Sequence, residues 1–269
     1  MGVLNVTPDS FSDGGRFVDQ SAALAHACRM AQEGAAIIDV GGESTRPGAR
    51  PVSVQEERDR VVPVIEALHR VLPDVVVSVD TSKPEVMRAA VAAGAAMIND
   101  VRALRGEGAL AAALELDVPV CLMHMQGEPR VMQTRPHYRD VVDDVACFLS
   151  ERLQTCVEAG FSPDRLLLDP GFGFGKTVAH NLCLMKHLDR FAALGAPLLI
   201  GVSRKSTIGA VLKVPVTQRL YGSIALAVWA VAHGAVIVRA HDVAATVQAL
   251  TMVAAVQHAG NAEPVQAGE

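Results

Sequence analysis

The stretch RLLLDPGFGFGK, residues 165–176, joins a short apolar run to an aspartate and a glycine-rich segment. The three leucines after Arg165 form an uninterrupted apolar run, which is typical of a strand in a parallel sheet covered on both faces. Asp169 stands where this strand would end. The same order, an apolar run followed by side chains that can do chemistry, recurs along the whole chain.

Eight such runs alternate with segments whose apolar residues recur at three- and four-residue spacing, the period of a helix. Eight strand and helix units without a linker predict a single-domain α/β protein, a closed (β/α)8 TIM barrel, with a doubly wound open sheet as the alternative. The predicted strands are Met1–Leu4, Ala36–Val40, Val75–Val79, Ala96–Ile98, Pro119–Met123, Arg165–Leu168, Pro197–Val202 and Ala235–Val238. The predicted helices include Ser21–Glu33, Val54–Leu72, Pro84–Ala93, Val141–Ala159 and Val243–Val256, and glycines that would end helices stand at Gly34, Gly94, Gly160, Gly195 and Gly234.

Length and composition fit one barrel over residues 1–269, with a short first strand and a polar tail at 259–269. The chain carries 24 Lys and Arg against 29 Asp and Glu, a net charge of −5, with 1 Trp and 2 Tyr. A chain with this composition lacks the basic surface and the aromatic stacking rings of nucleic-acid-binding proteins, so we exclude that class of protein.

A membrane protein is also excluded, although the mean hydropathy is positive, at +0.28. The longest apolar stretch, Ile224–Ala232, is far shorter than the roughly 20 residues of a membrane span, and it predicts a buried helix. The first residues have no basic segment before an apolar one, so we expect a cytoplasmic protein. The 5 cysteines are scattered without a Cys-x-x-Cys pair, which predicts reduced core residues rather than disulfides or a thiolate metal site: Cys28, Cys121, Cys147, Cys156 and Cys183.

Polar side chains follow nearly every apolar run, and in a barrel these strand ends converge on one mouth, where such enzymes keep their active sites. Turn residues that cap helices explain part of this pattern, at Ser82, Ser206 and Asp242. Capping explains less well the four residues that follow the most apolar runs directly, which are Asp80, Asn99, Asp169 and Arg239.

The spacing of glycines and histidines in this chain does not match the common nucleotide-binding and metal-binding motifs. A P-loop needs a glycine six residues before its lysine, where this chain has Pro170 before Lys176, and the glycines at 171, 173 and 175 do not form G-x-G-x-x-G. These glycines would let backbone approach a ligand, with Phe172 or Phe174 against a flat ring, or form a flexible turn with core Phe residues. None of the 9 His residues forms His-x-His or H-E-x-x-H, whereas Asn5 offers an oxygen suited to Mg²⁺.

The predicted mouth has two poles. Arg239, His241, Lys205 and Arg46, near Asn5, form a cationic pole that could hold a phosphate or pyrophosphate. An opposite pole of carboxylates and an amide suits a flat heterocycle that presents N–H donors, such as a 2-aminopyrimidinone. Two carboxylates there could stabilise positive charge that develops as pyrophosphate departs, while Mg²⁺ and Arg stabilise the leaving anion. The second pole comprises Asp80, Asn99 and Asp169.

Motifs over almost the whole chain resemble those of the dihydropteroate synthase family. They stand in order at residues 5–15 (NVTPDSFSDGG), 41–48 (GGESTRPG), 78–84 (SVDTSKP), 98–100 (IND), 122–126 (LMHMQ), 169–176 (DPGFGFGK), 203–206 (SRKS) and 239–242 (RAHD). The resemblance implies a TIM barrel that condenses 6-hydroxymethyl-7,8-dihydropterin diphosphate with 4-aminobenzoate to 7,8-dihydropteroate and pyrophosphate, with Mg²⁺.

The resemblance also implies a role for each matching residue. Mobile loops after the first two strands would close over the site and exclude water. The resemblance assigns catalytic roles to Asp9, Asp80, Asp169 and Lys205, and it makes Asn5 the ligand of the metal. Pterin binding falls on Asp80, Asn99, Met123, Asp169, Phe174 and Lys205, and diphosphate binding on Arg46, Arg239 and His241. Aminobenzoate binding falls on Phe11, Thr45, Pro47, Phe174, Lys205 and Ser206, the last at a helix start.

Two alternatives remain at this point: a pterin-binding methyltransferase barrel, which would not need the cationic pole, and a non-catalytic pterin-binding paralogue. The intact segments Thr45–Gly48 and Phe172–Gly175 predict that sulfonamides compete with 4-aminobenzoate. The apolar stretch Ile224–Ala232 could be core or a dimer surface, and the resemblance favours a homodimer. The family normally has more chain before the first motif, which leaves the bottom of the barrel in question.

Overall fold

The computed structural model describes residues 1–7, 16–44, 48, 50–128 and 131–259, with the backbone alone at residues 16–19. Eight parallel strands follow one another around a single sheet in sequence order. They are β1 (Gly2–Asn5), β2 (Ile37–Gly41), β3 (Val76–Asp80), β4 (Met97–Asp100), β5 (Val120–Met123), β6 (Leu166–Asp169), β7 (Leu198–Ile200) and β8 (Ala235–Val238).

The sheet closes where the end of β8 meets β1. Gly2 pairs with Ala240 in a parallel bridge, Val3 N donates to Ala240 O over 3.1 Å, and Ala240 N donates to Met1 O over 2.9 Å. The (β/α)8 barrel prediction is therefore confirmed, and the open-sheet alternative is wrong because β8 returns to the first strand. The predicted strands match the observed ones to within two residues at each end.

Helices surround the sheet and pack on its outer face. The five helices predicted individually are present, with glycines in the left-handed region behind them, such as Gly94 at φ +112° and Gly160 at φ +113°. Several shorter helices were not predicted, because their segments are too short to show a helical period. The helices are α1 (Arg16–Gln32), α2 (Val54–Val71), α3 (Pro84–Ala92), α4 (Ala109–Leu116), α5 (Val141–Glu158), α6 (Val178–Lys186), α7 (Leu188–Ala192), α8 (Ser206–Leu212), α9 (Leu220–Ala232) and α10 (Val243–Gln257).

Helix α9 contains the apolar stretch that we expected to be buried, and only one of its faces is. Ser223, Ala227 and Ala230 are buried, while Tyr221 is 81% and Trp229 45% exposed. An amphipathic spacing cannot be read from a segment that is apolar on all sides, so the sequence did not show which face is outward. Within the described part of the chain, no helix is long and apolar enough to cross a membrane.

The strands place alternate side chains inside and outside the barrel, because successive residues of a strand point to opposite faces. Inside, four apolar side chains form a small cluster, the lower layer: Met97, Cys121, Leu167 and Leu199. Two residues further along their strands, or on neighbouring strands, polar side chains form the upper layer: Asp39, Asn99, Asp169 and Arg239. The outward side chains, such as Ile98, Leu122 and Leu168, belong to the main core beneath the helices.

The cysteine prediction is confirmed for the free thiols and partly wrong for burial. All five are free, Cys121 and Cys156 are buried, and Cys28 and Cys183 are half-buried. Cys147 is exposed on α5, where it donates to Glu151 one turn later, over 3.3 Å. Its position falls on the outward face of an amphipathic helix, and the composition alone could not show that.

Candidate active site

A pocket opens at the carboxyl ends of the strands, as the barrel predicts. Seven of the eight strands supply its lining, Val3 from within β1 and the others from strand ends or from the loops that follow them. The lining residues are Val3, Asp80, Asn99, Val101, Met123, Asp169, Phe174, Gly201, Ser203, Lys205, Arg239 and His241.

Arg239 is the centre of the charged network in this pocket. Its Nε donates to Asp39 Oδ2 over 2.6 Å, and its Nη2 donates to Asp80 Oδ2 over 3.0 Å. Asn99 Nδ2 donates to the same Asp39 oxygen over 3.0 Å. One guanidinium thus holds two carboxylates from two strands, and the amide of a third strand bonds to one of these carboxylates. Buried carboxylates need such a cation.

The prediction of two separate poles is therefore wrong. Arg239 lies between Asp39 and Asp80, and Lys205 lines the same pocket as Asp169. The physical reason is the small interior of an eight-stranded barrel, where inward side chains of neighbouring strands necessarily come into contact. Opposite charges share one pocket, and the residues predicted to bind the diphosphate lie among the carboxylates.

Burial changes the protonation of these carboxyl groups. Desolvation, with help from Asp39, raises the pKa of Asp80 to about 7, although Arg239 opposes this change. Desolvation also raises the pKa of Asp169 to about 6, against the opposing effects of the Gly171 backbone N–H and of Lys205. Both carboxyls can therefore gain or lose a proton near neutral pH when a ligand brings donors or acceptors.

Burial also lowers the pKa of two basic side chains of the pocket. Desolvation and Arg239 lower the pKa of Lys205 to about 8, and the same two causes lower that of His241 to about 4. His241 is consequently neutral at pH 7 and acts through hydrogen bonds rather than charge. Its backbone N donates to Ser203 Oγ over 3.1 Å, and its Nδ1 lies 3.0 Å from the same oxygen.

Phe174 and Lys205 form one wall of the pocket. Lys205 Nζ lies 4.0 Å from the centroid of the Phe174 ring, a cation–π contact. Phe172, the alternative candidate for a ring contact, is buried in the core instead. Ser206 begins α8 as predicted, is exposed, and does not line the pocket.

The helix-capping interpretation is wrong at all three of its positions. Ser206 is the first residue of α8, whose N-cap is Lys205, and no side chain caps this helix. The Ser82 hydroxyl donates to Asp100, and the Asp242 carboxylate binds Arg204, so neither side chain caps a helix. The Arg204–Asp242 ion pair joins the loop after β7 to the loop after β8. These two loops carry Lys205 and His241.

The glycines after β6 let this turn pack directly against the backbone of the loop after β5. Gly171 and Gly175 have φ of +70° and +59°, and a Cβ atom on them would lie 1.8 Å from His124 O and 2.4 Å from Gln126 O. Both positions therefore require glycine for conformation and for space. The expected approach of backbone to a ligand stays a prediction.

Asn5 lies at the end of β1, beside Gly41. A Cβ atom on Gly41 would lie 3.6 Å from Asn5 Oδ1 and 3.7 Å from Asp80 Oδ2, so both oxygens border the same small space. Among the described residues, no group of three His, Cys, Asp or Glu forms a metal site. One amide oxygen and one carboxylate fit a hard cation that takes most of its ligands from water and phosphate oxygens.

Sequence reasoning missed two buried residues of this region, Asp39 and Lys176. Asp39 stands two residues before Gly41 on β2, so strand alternation could have placed it in the barrel interior. Lys176 Nζ contacts the backbone carbonyls of Gly171 and Phe174 and the ring of His124. Burial lowers the pKa of Lys176 to about 7, an effect that Asp169 opposes.

Five predicted site residues lie outside the described residues: Asp9, Phe11, Thr45, Arg46 and Pro47. Their assigned roles remain predictions.

Comparisons with known proteins agree with this geometry. The family model described as "Pterin binding enzyme" matches residues 1–241. The chain is 54% identical to the dihydropteroate synthase of Escherichia coli (strain K12) over 255 residues, which is 95% of this chain and 90% of the relative.

Two solved structures are similar over nearly their whole length. The Yersinia pestis dihydropteroate synthase with a sulfonamide drug complex superposes with a TM-score of 0.91 at 54% identity, covering 96% of this chain and 94% of that one. The Xanthomonas albilineans dihydropteroate synthase with 4-aminobenzoic acid superposes with a TM-score of 0.91 at 55% identity, covering 98% and 93%.

Proposed function

Since the chain belongs to the dihydropteroate synthases, within the pterin-binding enzyme family, we propose that its barrel pocket joins a dihydropterin to 4-aminobenzoate. The substrates are 6-hydroxymethyl-7,8-dihydropterin diphosphate and 4-aminobenzoate, and the products are 7,8-dihydropteroate and pyrophosphate. The observation that carries this proposal is the single pocket in which Asp80, Asn99 and Asp169 face Lys205 and Arg239. Neither a methyltransferase nor a non-catalytic relative is favoured by any observation.

The pterin ring binds to the carboxylates and the amide. Asn99 Nδ2 is already held by Asp39, which leaves its Oδ1 to accept from a ring N–H. Asp169 receives the Gly171 N–H on Oδ1 over 2.7 Å, which fixes the carboxylate so that it can accept from the 2-amino group. Met123 packs beside the ring from the end of β5.

Bond breaking develops positive charge on the pterin methylene and negative charge on the diphosphate. Asp80 and Asp169 stabilise the cation-like transition state, because fixed carboxylates in a buried pocket act strongly on such charge. Arg239 and His241, with Arg46, hold the departing diphosphate. Lys205 and Phe174 flank the 4-aminobenzoate ring. Ser206, at the exposed start of α8 outside the pocket lining, would contact this substrate at the rim, with Phe11, Thr45 and Pro47, while Asp9 assists the reaction.

Mg²⁺ is part of this proposal, with Asn5 as its protein ligand beside Asp80. When bound, the cation would neutralise charge on the diphosphate oxygens and so make pyrophosphate a better leaving group. Arg239 already provides a fixed positive charge at the same end of the pocket.

The test is pyrophosphate release from the dihydropterin diphosphate with Mg²⁺, with and without 4-aminobenzoate. Release that requires both substrates and yields dihydropteroate supports the proposal. Tight pterin binding without release contradicts it and favours the non-catalytic or methyltransferase alternatives. Release without 4-aminobenzoate also contradicts it, because water would then be the acceptor. Sulfonamides should compete with 4-aminobenzoate, and turnover unchanged by excess sulfonamide would contradict that part.

A homodimer is also proposed, through an apolar surface on α9 and α10 that we call the α9–α10 face. Tyr221, Trp229, Met252 and Val256 are exposed on these two helices, and large exposed apolar side chains that adjoin one another mark an interface. Sedimentation velocity should give twice the chain mass, and Met252→Glu should shift the protein toward monomer. A monomeric wild type would contradict the proposal.

The free thiols agree with the cytoplasm, a reducing compartment, as the proposed location of the protein.

A further inference from the structure

Lys176 is a buried lysine that does not line the pocket. Its Nζ lies 2.9 Å from Gly171 O, 3.0 Å from Phe174 O and 2.9 Å from His124 Nδ1. A fourth acceptor, His124 O, lies 3.4 Å away. A lysine ammonium is costly to bury and is found inside proteins only where acceptors surround it, so this arrangement needs a reason.

The acceptors belong to two neighbouring loops at the barrel mouth. His124 follows β5, whereas Gly171 and Phe174 belong to the glycine-rich turn after β6. Lys176 therefore holds the turn from inside and joins it to the loop beside it. Desolvation and Lys176 itself lower the pKa of His124 to about 2, so the ring is neutral. The tautomer protonated at Nε2 accepts from Lys176 at Nδ1.

Other side chains hold the same turn from outside. Tyr138 Oη donates to Gly175 O over 2.8 Å, and Gln133 Nε2 donates to Gly173 O over 2.6 Å. The Gly173 N–H donates to Asn181 Oδ1 over 2.8 Å. The backbone of the turn is thus fixed on both sides, and the side chain that it carries into the pocket is Phe174.

We propose that Lys176 is a positioning residue that sets the Phe174 ring against Lys205 and so prepares the 4-aminobenzoate part of the pocket. Phe174 depends on the turn for its place, because no strand holds it. Asp169, by contrast, is the last residue of β6, so the sheet holds its backbone, although its Oδ1 accepts from the Gly171 N–H of the turn. Loss of Lys176 should therefore disturb the aminobenzoate side much more than the pterin side. The inference rests on the proposed function, which assigns Phe174 to the aminobenzoate ring.

The experiment compares wild type with Lys176→Met, which keeps all but the last atom of the side chain's length and removes its donors. We expect the KM for 4-aminobenzoate to rise about tenfold or more, while the Kd of the pterin diphosphate changes by less than about threefold. Lys186→Met, an exposed lysine on α6, is the matched control and should change neither constant. An equal loss on both substrates would overturn the proposal, because a merely structural lysine predicts that result.

A double-mutant cycle tests whether Lys176 acts through Phe174. In a Phe174→Ala background, Lys176→Met should add less than about a twofold change to the aminobenzoate KM, since the ring it positions is gone. Full additivity would overturn the proposal.

Tyr138→Phe provides a milder variant if Lys176→Met does not fold. It removes one outer hydrogen bond of the turn and should raise the aminobenzoate KM in the same direction by a smaller factor. An unchanged KM in folded Tyr138→Phe would count against the proposal. If wild type released no pyrophosphate, the proposed function would fail, whereas a normal wild type with an unaffected Lys176→Met contradicts this inference alone.

Discussion

The lower and upper layers of the barrel interior are both buried, stand about two residues apart along the strands, and have opposite chemistry. The lower layer is apolar, and its burial stabilises the fold by roughly 25 cal/mol per Å². The upper layer holds two carboxylates, an amide and a guanidinium, whose desolvation costs about as much as their pairing returns. One strand geometry thus serves stability in one layer and chemistry in the next.

The largest expected effect comes from removing the cation of the upper layer. Arg239→Met leaves Asp39 and Asp80 buried without their guanidinium, so unfolding free energy should fall by about 3–5 kcal/mol. Affinity for the pterin diphosphate should fall about 100-fold, far more than affinity for the bare pterin alcohol. Urea unfolding and ligand titration measure these effects. Arg88→Met, in an exposed pair with Glu115, is the control, and equal losses for both ligands would refute the diphosphate role.

Asp169→Asn sharpens the comparison, because it separates chemistry from stability. The amide keeps the size of the side chain and removes the charge, so turnover should fall about 100-fold or more. Unfolding free energy at pH 7 should stay equal or rise, since the cost of burying the carboxylate is gone. Steady-state kinetics and urea unfolding on the same preparation give both values. A large loss of stability would mean that the upper layer holds the fold together.

Leu167→Ala in the lower layer should produce the opposite pattern. Loss of the buried side chain should cost about 2–5 kcal/mol of unfolding free energy through the cavity that it leaves. Both KM values, measured well below the melting temperature, should stay within about twofold of wild type. The control is Leu182→Ala on the exposed face of α6. A change of more than about twofold in either KM would contradict the distinction between the layers.

The pH dependence of stability gives a further test of the upper layer. The pKa of Asp169 is raised to about 6 in the folded protein from 3.8, so between about pH 4 and pH 6 the unfolded chain binds fewer protons. Wild-type stability relative to Asp169→Asn should therefore fall by roughly 3 kcal/mol as pH rises through this range, and level off above it. Urea unfolding at pH 4, 5, 6 and 7 measures the difference. A stability difference that rises with pH would contradict the raised pKa.

The smallest effect is expected at Ser78, which is buried on β3 beside Asp39 in the sheet register. Its Oγ has no hydrogen-bond partner in the described part of the chain. Ser78→Ala should therefore change the unfolding free energy by less than about 1 kcal/mol. Ser223→Ala, whose hydroxyl contacts Arg204 N and Arg219 O, should cost about 1–3 kcal/mol. Thermal or urea unfolding that ranks the two variants the other way would contradict this prediction.

The sequence predicts the barrel well, because each inner strand is marked by a local apolar run. It also predicts the strand-end residues Asp80, Asn99 and Asp169, which follow such runs directly. It does not predict that Arg239 binds Asp39, because a contact between residues 200 positions apart leaves no local pattern. Lys176 was overlooked for a related reason: outside a phosphate-binding motif, nothing in its surroundings marks a lysine as buried. The sequence left open whether the apolar stretch of α9 is core or a surface, and it did not show which face is exposed because the helix is apolar on every side.

The ion pair between Asp39 and Arg239 also bears on how the chain acquires its fold during synthesis. Asp39 belongs to the second strand, and its cation emerges from the ribosome 200 residues later. Until then, a partial barrel that buried Asp39 would carry the cost of an unpaired carboxylate. Early intermediates should therefore keep this end of the sheet open to water and close it only when β8 arrives. Nascent chains that stop before residue 239 should accordingly be the ones that depend most on chaperones.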